Sequence, residues 1–486
     1  MNPAEVPACV LLNPLYAYAD GSIYKEVSNL DPPLGLAALS AYVTSKGYSC
    51  FLYDLNVEAH HGRSVAEFLK EWKQNTGIPQ PFIGITCVTT FAYSTYSLAQ
   101  TVKEIFPESV VIAGGPHATF MPREVLSCPF IDLVVMGEGE LTLEEIMKGI
   151  PYSEIQGLAF KAGDGSGIQI NPARPRIKDL DSLPIPAYHQ LQLSAYQPVL
   201  GSYKRLPAAN MVTSRGCPGR CTFCCRTFGN QVTYNSPARI LQEIEGLITT
   251  YGIRQINFYD DTFTLNKSRV IELCQGMIAK DLDLDWTCFA RLDRIDEEVL
   301  HWMKKAGCYQ VMYGVENFDP AILSTIKKAY GTIDVKKIVR ITREAGIRCR
   351  LSILIGNPGE TKETVLNNIR QMNRLNPDIL VVNITTPFPG TEMYDWALKE
   401  NRLLTTDWKE YDGKQAVMRI DTLSTQEIYT YYHKMYARFY LRPVYVFTQL
   451  ARIRSWLELR VLFHGFFSLL RFSKKRKQGL PEKTAA

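Results

Sequence analysis

Ser214-Arg215-Gly216-Cys217-Pro218-Gly219-Arg220-Cys221-Thr222-Phe223-Cys224 is the stretch on which the fold turns. Thiolates hold iron–sulfur clusters, normally one per iron. Three cysteines spaced Cys-x3-Cys-x2-Cys can therefore wrap a four-iron cluster and leave one iron open to a substrate or cofactor. The competing reading is a structural zinc site, which wants four ligands at paired spacing. Cys225 alone stands nearby, and as the neighbour of Cys224 it cannot easily face the same ion. The loop follows Met211–Thr213, which reads as a strand, and precedes the helical stretch Pro237–Thr249. That order places the cysteines at the mouth of a strand–helix domain.

Working outward, the strand signal recurs. Gln255–Tyr259, Trp286–Phe289, Gln310–Tyr313, Arg350–Ile355 and Ile379–Ile384 are short apolar runs, separated by helical stretches such as Asp296–Ala306. Six strand–helix repeats predict a parallel barrel or part of one, with its site at the carboxyl ends of the strands. From about residue 400 the pattern turns mostly helical.

Upstream there is a second alternating series. Ala8–Leu12, Cys50–Tyr53, Phe82–Val88, Val110–Ala113 and Leu133–Met136 read as strands, and Leu34–Ser45 as a helix that stops at Gly47. Such alternation predicts an open parallel sheet with helices on both faces. Its ligands would lie beyond the carboxyl ends of the strands, where Thr86, Thr89, Thr90, Gly114, Gly115, Gly137 and Gly139 fall. Between the two series, Gly157–Phe160 and Ile168–Ile170 suggest a hairpin, and Leu183-Pro184-Ile185-Pro186 is linker chemistry. The expected organisation is an α/β chain with a Rossmann-like domain over 1–150, a connector over 151–205, a partial (β/α) barrel over 206–400 and a helical extension over 401–486.

The chain has 486 residues, 46% of them apolar and 21% charged, an ordinary balance for a globular protein that excludes disorder and fibrous repeats. The net charge is +5, yet 451–480 alone holds eight Lys or Arg against Glu458, so the rest of the chain sums to about −2. Nucleic-acid binding by the body has no compositional support. Met1 to Pro7 lacks a secretory start, so a cytoplasmic, reducing compartment is expected and the twelve cysteines are not read as disulfides.

The cysteine motif, with an aromatic before the last cysteine, resembles the radical S-adenosylmethionine superfamily. The resemblance implies that Cys217, Cys221 and Cys224 ligate a 4Fe-4S cluster. It implies that the open iron chelates the amino and carboxylate groups of S-adenosylmethionine, whose reductive cleavage releases a 5′-deoxyadenosyl radical. Further stretches match family landmarks. Asp260 and Asp261, in Phe258-Tyr259-Asp260-Asp261, fall near the cofactor's amino group. Arg291 falls near its carboxylate, and Glu316, in Tyr313-Gly314-Val315-Glu316, near the ribose. Ile355-Gly356-Asn357-Pro358-Gly359-Glu360-Thr361 suits adenine, and Pro387-Phe388-Pro389-Gly390-Thr391 follows the sixth strand. Each has a plain alternative: paired acids also cap helices, and Pro-Gly segments also make turns.

The amino-terminal series resembles the cobalamin-binding domain of cobalamin-dependent radical enzymes. The matching stretches are Pro32-Pro33-Leu34-Gly35-Leu36, Gly84-Ile85-Thr86, Gly114-Gly115-Pro116-His117-Ala118-Thr119 and Gly137-Glu138-Gly139-Glu140. The resemblance assigns Thr86, Gly114, Gly115, Gly137 and Glu138 to cobalamin. It departs from the better-known cobalamin fold at Asp54-Leu55-Asn56, where a histidine would face cobalt. His117 is the alternative ligand, though its place after Gly-Gly-Pro suits a structural turn. A domain that lost cobalamin and only shapes the cavity is the competing reading.

Together the resemblances imply an enzyme that methylates an unactivated carbon of a small-molecule or lipid-like substrate, with an electron donor such as flavodoxin or ferredoxin. A radical cyclase of the anaerobic tetrapyrrole type, or an iron–sulfur sensor without turnover, are the alternatives. Trp456, Phe466 and Phe467 beside Lys474-Lys475-Arg476-Lys477 suit either a helix lying peripherally on the inner membrane surface or one packed on the barrel.

Overall fold

The computed structural model describes residues 7–16, 30–59, 62–163, 167–196, 203–328, 330 and 333–450. The basic tail therefore lies outside the described residues. Among those described, no helix is long and apolar enough to cross a membrane.

The first sheet contains β1 (Ala8–Asn13), β2 (Ser49–Asp54), β3 (Phe82–Thr86), β4 (Val111–Gly114) and β5 (Leu133–Val135). These five run parallel in the order β2-β1-β3-β4-β5. Both faces are covered, so the strands are nearly unbroken apolar runs. Cys9, Leu11, Leu52 and Val135 pack on one side, and Val10, Leu12, Ile83 and Ala113 on the other. The order reverses between β1 and β3, which opens a crevice at their carboxyl ends. The hairpin expected in the connector belongs to this sheet instead. β6 (Leu158–Lys161) and β7 (Ile168–Ile170) add to β5 antiparallel. The edge of β5 would otherwise expose unpaired backbone groups, a demand that turn chemistry in sequence does not reveal.

The second sheet starts with β8 (Ala208–Met211), earlier than the expected Met211–Thr213. A small antiparallel pair, β9 (Ser214–Arg215) and β10 (Thr233–Tyr234), brackets the cysteine loop. Then come β11 (Gln255–Phe258), β12 (Asp285–Ala290), β13 (Cys308–Glu316), β14 (Arg348–Ile355) and β15 (Ile379–Ile384). The order β15-β14-β13-β12-β11-β8 is sequential and every pair is parallel, which is an open six-stranded part-barrel. Beyond residue 400 the structure is less helical than the pattern suggests. Helices Thr425–Tyr440 and Pro443–Leu450 are present, but 401–424 is irregular, fastened by the bridge Leu403↔Met418.

Side chains close open sheet edges. On β15, Leu380 N donates to Tyr440 Oη (3.0 Å) and Tyr440 donates back to Leu380 O (2.7 Å). Tyr436 makes the same two-way contact with Val382, at 3.0 Å in both directions. Four residues of helix rise about 6 Å and two residues of strand about 6.6 Å, so the two tyrosines match the ladder. On β2, Gln190 of the connector accepts from Leu52 N (2.7 Å) and donates to Cys50 O (3.2 Å). Tyr436→Phe and Tyr440→Phe each leave a strand N–H and C=O without a partner. Each is expected to lower unfolding stability by about 1–3 kcal/mol, read as an earlier urea midpoint, with iron binding unchanged in the folded protein.

Candidate functional site

The cysteine loop is held from beneath by Asp260. The Thr213 and Ser214 amides donate to Asp260 Oδ1 at 2.6 and 2.5 Å, the Thr213 hydroxyl to Oδ2 at 2.7 Å, and the Ser214 hydroxyl to Oδ1 at 2.9 Å. Asp260 is fully buried, and burial pushes its carboxyl up against the pull of Arg269 and these donors. Arg269 Nη2 also donates to the Thr213 hydroxyl oxygen, 2.6 Å, and carbonyl, 2.9 Å. Asp260 is thus an anchor for the loop, with both oxygens accepting from Thr213 and Ser214. Its neighbour Asp261 faces solvent at the barrel mouth. The shared motif splits because the backbone turns after β11, sending adjacent side chains in opposite directions.

Two glycines shape the loop. Gly216 has φ +96°, and a Cβ there would collide with the Gln231 carbonyl. A Cβ on Gly219 would stand 3.3 Å from Cys217 Sγ, 3.9 Å from Cys221 Sγ and 3.3 Å from Arg291 Nη1. Gly219 is therefore the floor of a cradle rimmed by two thiols and a guanidinium. Its own amide donates to Cys217 Sγ at 3.4 Å. Cys224 hydrogen-bonds to Cys221. The two thiols are free and act on each other: the Cys224 thiol lowers the Cys221 thiol, helped by Lys328 and Arg291 against the effect of burial, while Cys221 and burial raise Cys224. Cys225 faces away, with Sγ 3.8 Å from Thr227 Oγ1, so the fourth ligand that zinc would want is missing.

The remaining barrel residues surround this cradle. Arg291 is forked onto Asp293 through Nε and Nη2, both at 2.8 Å. Glu316 ends β13 with a left-handed φ of 62° and meets Lys328 at 3.1 Å. Sequence reasoning did not single out Lys328, because it stands in no motif. It also passed over the work of Glu360, which lies wholly buried under the Gly356–Gly359 turn. Glu360 accepts from Gly356 N (2.7 Å), Asn357 N (3.2 Å), Asn317 (2.8 Å) and Asn368 (3.2 Å), and burial pushes it up to about 7. The acid at the end of that motif shapes the turn from below.

In the first sheet, Gly115 has φ +106°, and a Cβ on it would stand 3.0 Å from Cys87 O and 3.2 Å from Thr86 Oγ1. Thr119 donates to Gly115 O (2.9 Å) and accepts from Gly137 N (3.0 Å), joining the loops after β4 and β5. A Cβ on Gly35 or Gly137 would meet nothing within 4 Å, and one on Gly114 nothing nearer than 3.8 Å. The crevice rim is thus bare backbone open to a large flat ligand. Glu138 differs from its expectation: Oε1 takes Arg215 at 2.8 Å and Oε2 takes Ile177 N at 2.7 Å. It is a strut between the sheets, and its oxygens do not face the crevice. His117 is buried, with Nδ1 3.2 Å from Thr89 Oγ1, Nε2 3.4 Å from Glu124 and its ring edge-on to Trp408. Asn56 donates to Pro14 O (3.0 Å) and Asp54 (2.8 Å) and accepts from Tyr16 N (2.8 Å).

Comparison with known proteins agrees with this geometry. Residues 211–372 match the radical SAM superfamily, and residues 23–147 match a B12 binding domain. An uncharacterized methyltransferase of Pyrococcus horikoshii is 34% identical over 431 residues, 87% of this chain and 91% of the relative. The chain belongs to the cobalamin-dependent radical S-adenosylmethionine enzymes. An anaerobic magnesium-protoporphyrin IX monomethyl ester cyclase of Cereibacter sphaeroides is 28% identical, covering 86% of this chain and 68% of the cyclase. The fold resembles the radical S-adenosylmethionine methyltransferase TsrM of Kitasatospora setae, solved with cobalamin and a [4Fe-4S] cluster. The TM-score is 0.66 at 21% identity, over 81% of this chain and 75% of TsrM.

Membership brings the cofactor set: a 4Fe-4S cluster, S-adenosylmethionine and cobalamin. It also brings the need for a substrate and a reductant. Cys217 and Cys221 at the Gly219 cradle, with Cys224 beside Cys221, offer a cluster three thiols, and the bare rim of the first sheet fits the corrin. Cys217→Ala, Cys221→Ala and Cys224→Ala should each abolish the cluster absorbance and cofactor cleavage, while Cys225→Ala should keep both. Iron that depends on Cys225 but not on one of the three would reverse the assignment. Asn56 and His117 are both engaged by protein groups, so the reduced paramagnetic cobalamin of the loaded protein should show no histidine nitrogen coupling. A coupling lost in His117→Ala would contradict this placement, and a chain that retains no cobalamin would point to a vestigial domain.

Proposed function

We propose that this enzyme transfers a methyl group to an unactivated carbon of a small-molecule or lipid-like substrate. The observation that carries the reading is Arg215. It stands two residues before Cys217 and bonds Glu138 at 2.8 Å and Glu140 at 2.7 Å, in the loop after β5. One side chain thus ties the cluster-bearing loop of the barrel to the rim of the cobalamin crevice. When bound, the cluster with S-adenosylmethionine supplies a hydrogen-abstracting radical, and cobalamin supplies the methyl group.

The residues of the chain organise the space between these groups. Cys217, Cys221 and Cys224 bind the cluster. Asp261, Arg291 and Glu316 orient S-adenosylmethionine through its amino, carboxylate and ribose groups. Thr86, Gly114, Gly115 and Gly137 seat cobalamin. Asp31, from the segment after β1, accepts from Asn210 of β8 at 2.7 Å and from Tyr259, a second bond across the two sheets beside the barrel mouth. Trp408 donates to Glu124 at 2.9 Å, and Phe120 fills the space above Gly390, so the segment beyond β15 covers the flank of the first sheet and excludes water from that side.

A flavodoxin or ferredoxin suits the need for single electrons. The +7 charge of 451–480, set among aromatic residues, suits a peripheral membrane position, where lipid-like substrates partition. Ring closure is the second reading, favoured by the similarity to the Cereibacter sphaeroides cyclase. Anaerobically reconstituted enzyme, given S-adenosylmethionine with a labelled methyl group and an extract of the native host, tests both. Methyl transfer yields 5′-deoxyadenosine, S-adenosylhomocysteine and a labelled product. Cyclisation yields 5′-deoxyadenosine and an unlabelled product without S-adenosylhomocysteine, and a sensor yields no 5′-deoxyadenosine.

A further inference from the structure

Lys328 stands at the cluster loop without belonging to any motif of the sequence. Its side chain is 12% exposed and its ammonium lies 3.1 Å from Glu316 Oε1. The backbone around the pair is costly to form. Glu316 at φ 62° and Lys327 at φ 51° both occupy the left-handed region, which is strained for residues other than glycine. Gly314 supplies the room: a Cβ there would collide with the Glu316 carboxylate and stand 3.0 Å from Lys328 Nζ.

The same turn is fastened to the cysteine loop. Thr222 N, next to Cys221, donates to Ile326 O at 3.0 Å, and Met393 N donates to Thr222 O at 2.9 Å. Against the effect of burial, Glu316 and the nearby Cys221 and Cys224 favour the charged ammonium. Arg291 Nη1 would stand 3.3 Å from a Cβ on Gly219, and Lys328 adds a second cation, carried by a turn that is bonded to the loop at Thr222, beside Cys221. A plain alternative is that Lys328 only neutralises a buried carboxylate. That role would not need the turn that carries the ammonium to be fastened to the cysteine loop beside Cys221.

We propose that Lys328 is a fixed cation of the cluster environment that raises the reduction potential of the 4Fe-4S cluster, with Glu316 as its anchor. The step concerned is the uptake of one electron from an external reductant, which takes the cluster from its 2+ to its 1+ state and breaks no bond. The reduced state is more negative by one charge, so a nearby cation stabilises it more than the oxidised state. Charge and burial are among the principal determinants of such potentials. The effect is strongest in a site of low effective dielectric.

The inference rests on the three cysteines as ligands, and its test reads a different quantity. Wild-type, Lys328→Met, Lys328→Arg and Glu316→Gln proteins, each reconstituted without S-adenosylmethionine or substrate, are titrated with dithionite under electron paramagnetic resonance. Lys328→Met should titrate at least 59 mV more negative, a tenfold change in a one-electron equilibrium. Lys328→Arg, which keeps the charge, should stay near wild type. Glu316→Gln, which leaves the cation uncompensated, should move positive. A Lys328→Met protein with full iron content and an unmoved potential overturns the proposal. If Lys328→Met fails to hold iron, Glu316→Gln decides, and an unmoved potential there overturns it equally. Loss of iron in the cysteine variants reads the ligand assignment separately from any potential.

Discussion

Arg215 holds the two halves of the site in one frame. Its guanidinium is shared between Glu138 and Glu140, whose side chains are 6% and 5% exposed, and its own is 15% exposed. In bulk water such a pair would contribute little. Here, removing one partner would strand a buried charge, a loss of about 3–5 kcal/mol. The arrangement also explains a feature that looks wasteful from one domain alone. After β5 the first domain presents two buried carboxylates two residues apart, Glu138 in the loop and Glu140 at the start of the following helix. Both are matched by the cation that opens the cysteine loop. The loop after β5 and the loop after β9 are therefore mutually dependent, and neither cofactor rim is complete without the other domain.

Once that contact fixes the two sheets, their outer edges remain open, and the chain closes two of them with side chains. Tyr436 and Tyr440 act as a surrogate strand on β15, and Gln190 does the same on β2. A real strand would extend the sheet and bring a new edge with it. A tyrosine or glutamine satisfies one strand N–H and one C=O and ends the problem there. This also accounts for the course of the chain. The connector must run back along β2, and the helix Thr425–Tyr440 must lie beside β15, because those are the positions from which the capping groups reach.

The parts of the fold that rest on local pattern were legible in the sequence: both strand series, the cysteine loop and the glycine-lined rims. Their signals are apolar periodicity, spacing and conformational demand, all carried by neighbouring residues. What escaped depends on partners far apart in the chain. The hairpin β6–β7 is legible as a hairpin, but its place in the first sheet is not until the edge of β5 is known. Asp260 and Asp261 read as equals, although one is wholly buried and the other faces solvent. Glu138 is singled out by the resemblance to the cobalamin-binding domain, whereas its bonds to Arg215 and Ile177, 77 and 39 residues away, carry no local signal. Lys328 carries no motif because its role is defined by distance to Glu316 and the cysteines, and no spacing rule encodes that.

Asn56 shows how a departure from a motif becomes structure. Its amide binds Pro14 O and Asp54, and its oxygen takes Tyr16 N, so it staples the segment after β1 to the end of β2. Tyr16 is then stacked on Phe91 at 4.5 Å, which carries the staple on to the segment after β3. These are the strand ends that flank the switch point, where a planar ligand would rest. A histidine at position 56 could not make the same three contacts, since imidazole offers only two ring nitrogens and no amide fork. Asn56 thereby makes this end of the sheet rigid, and the bare backbone of the neighbouring rim leaves room for a large flat ligand.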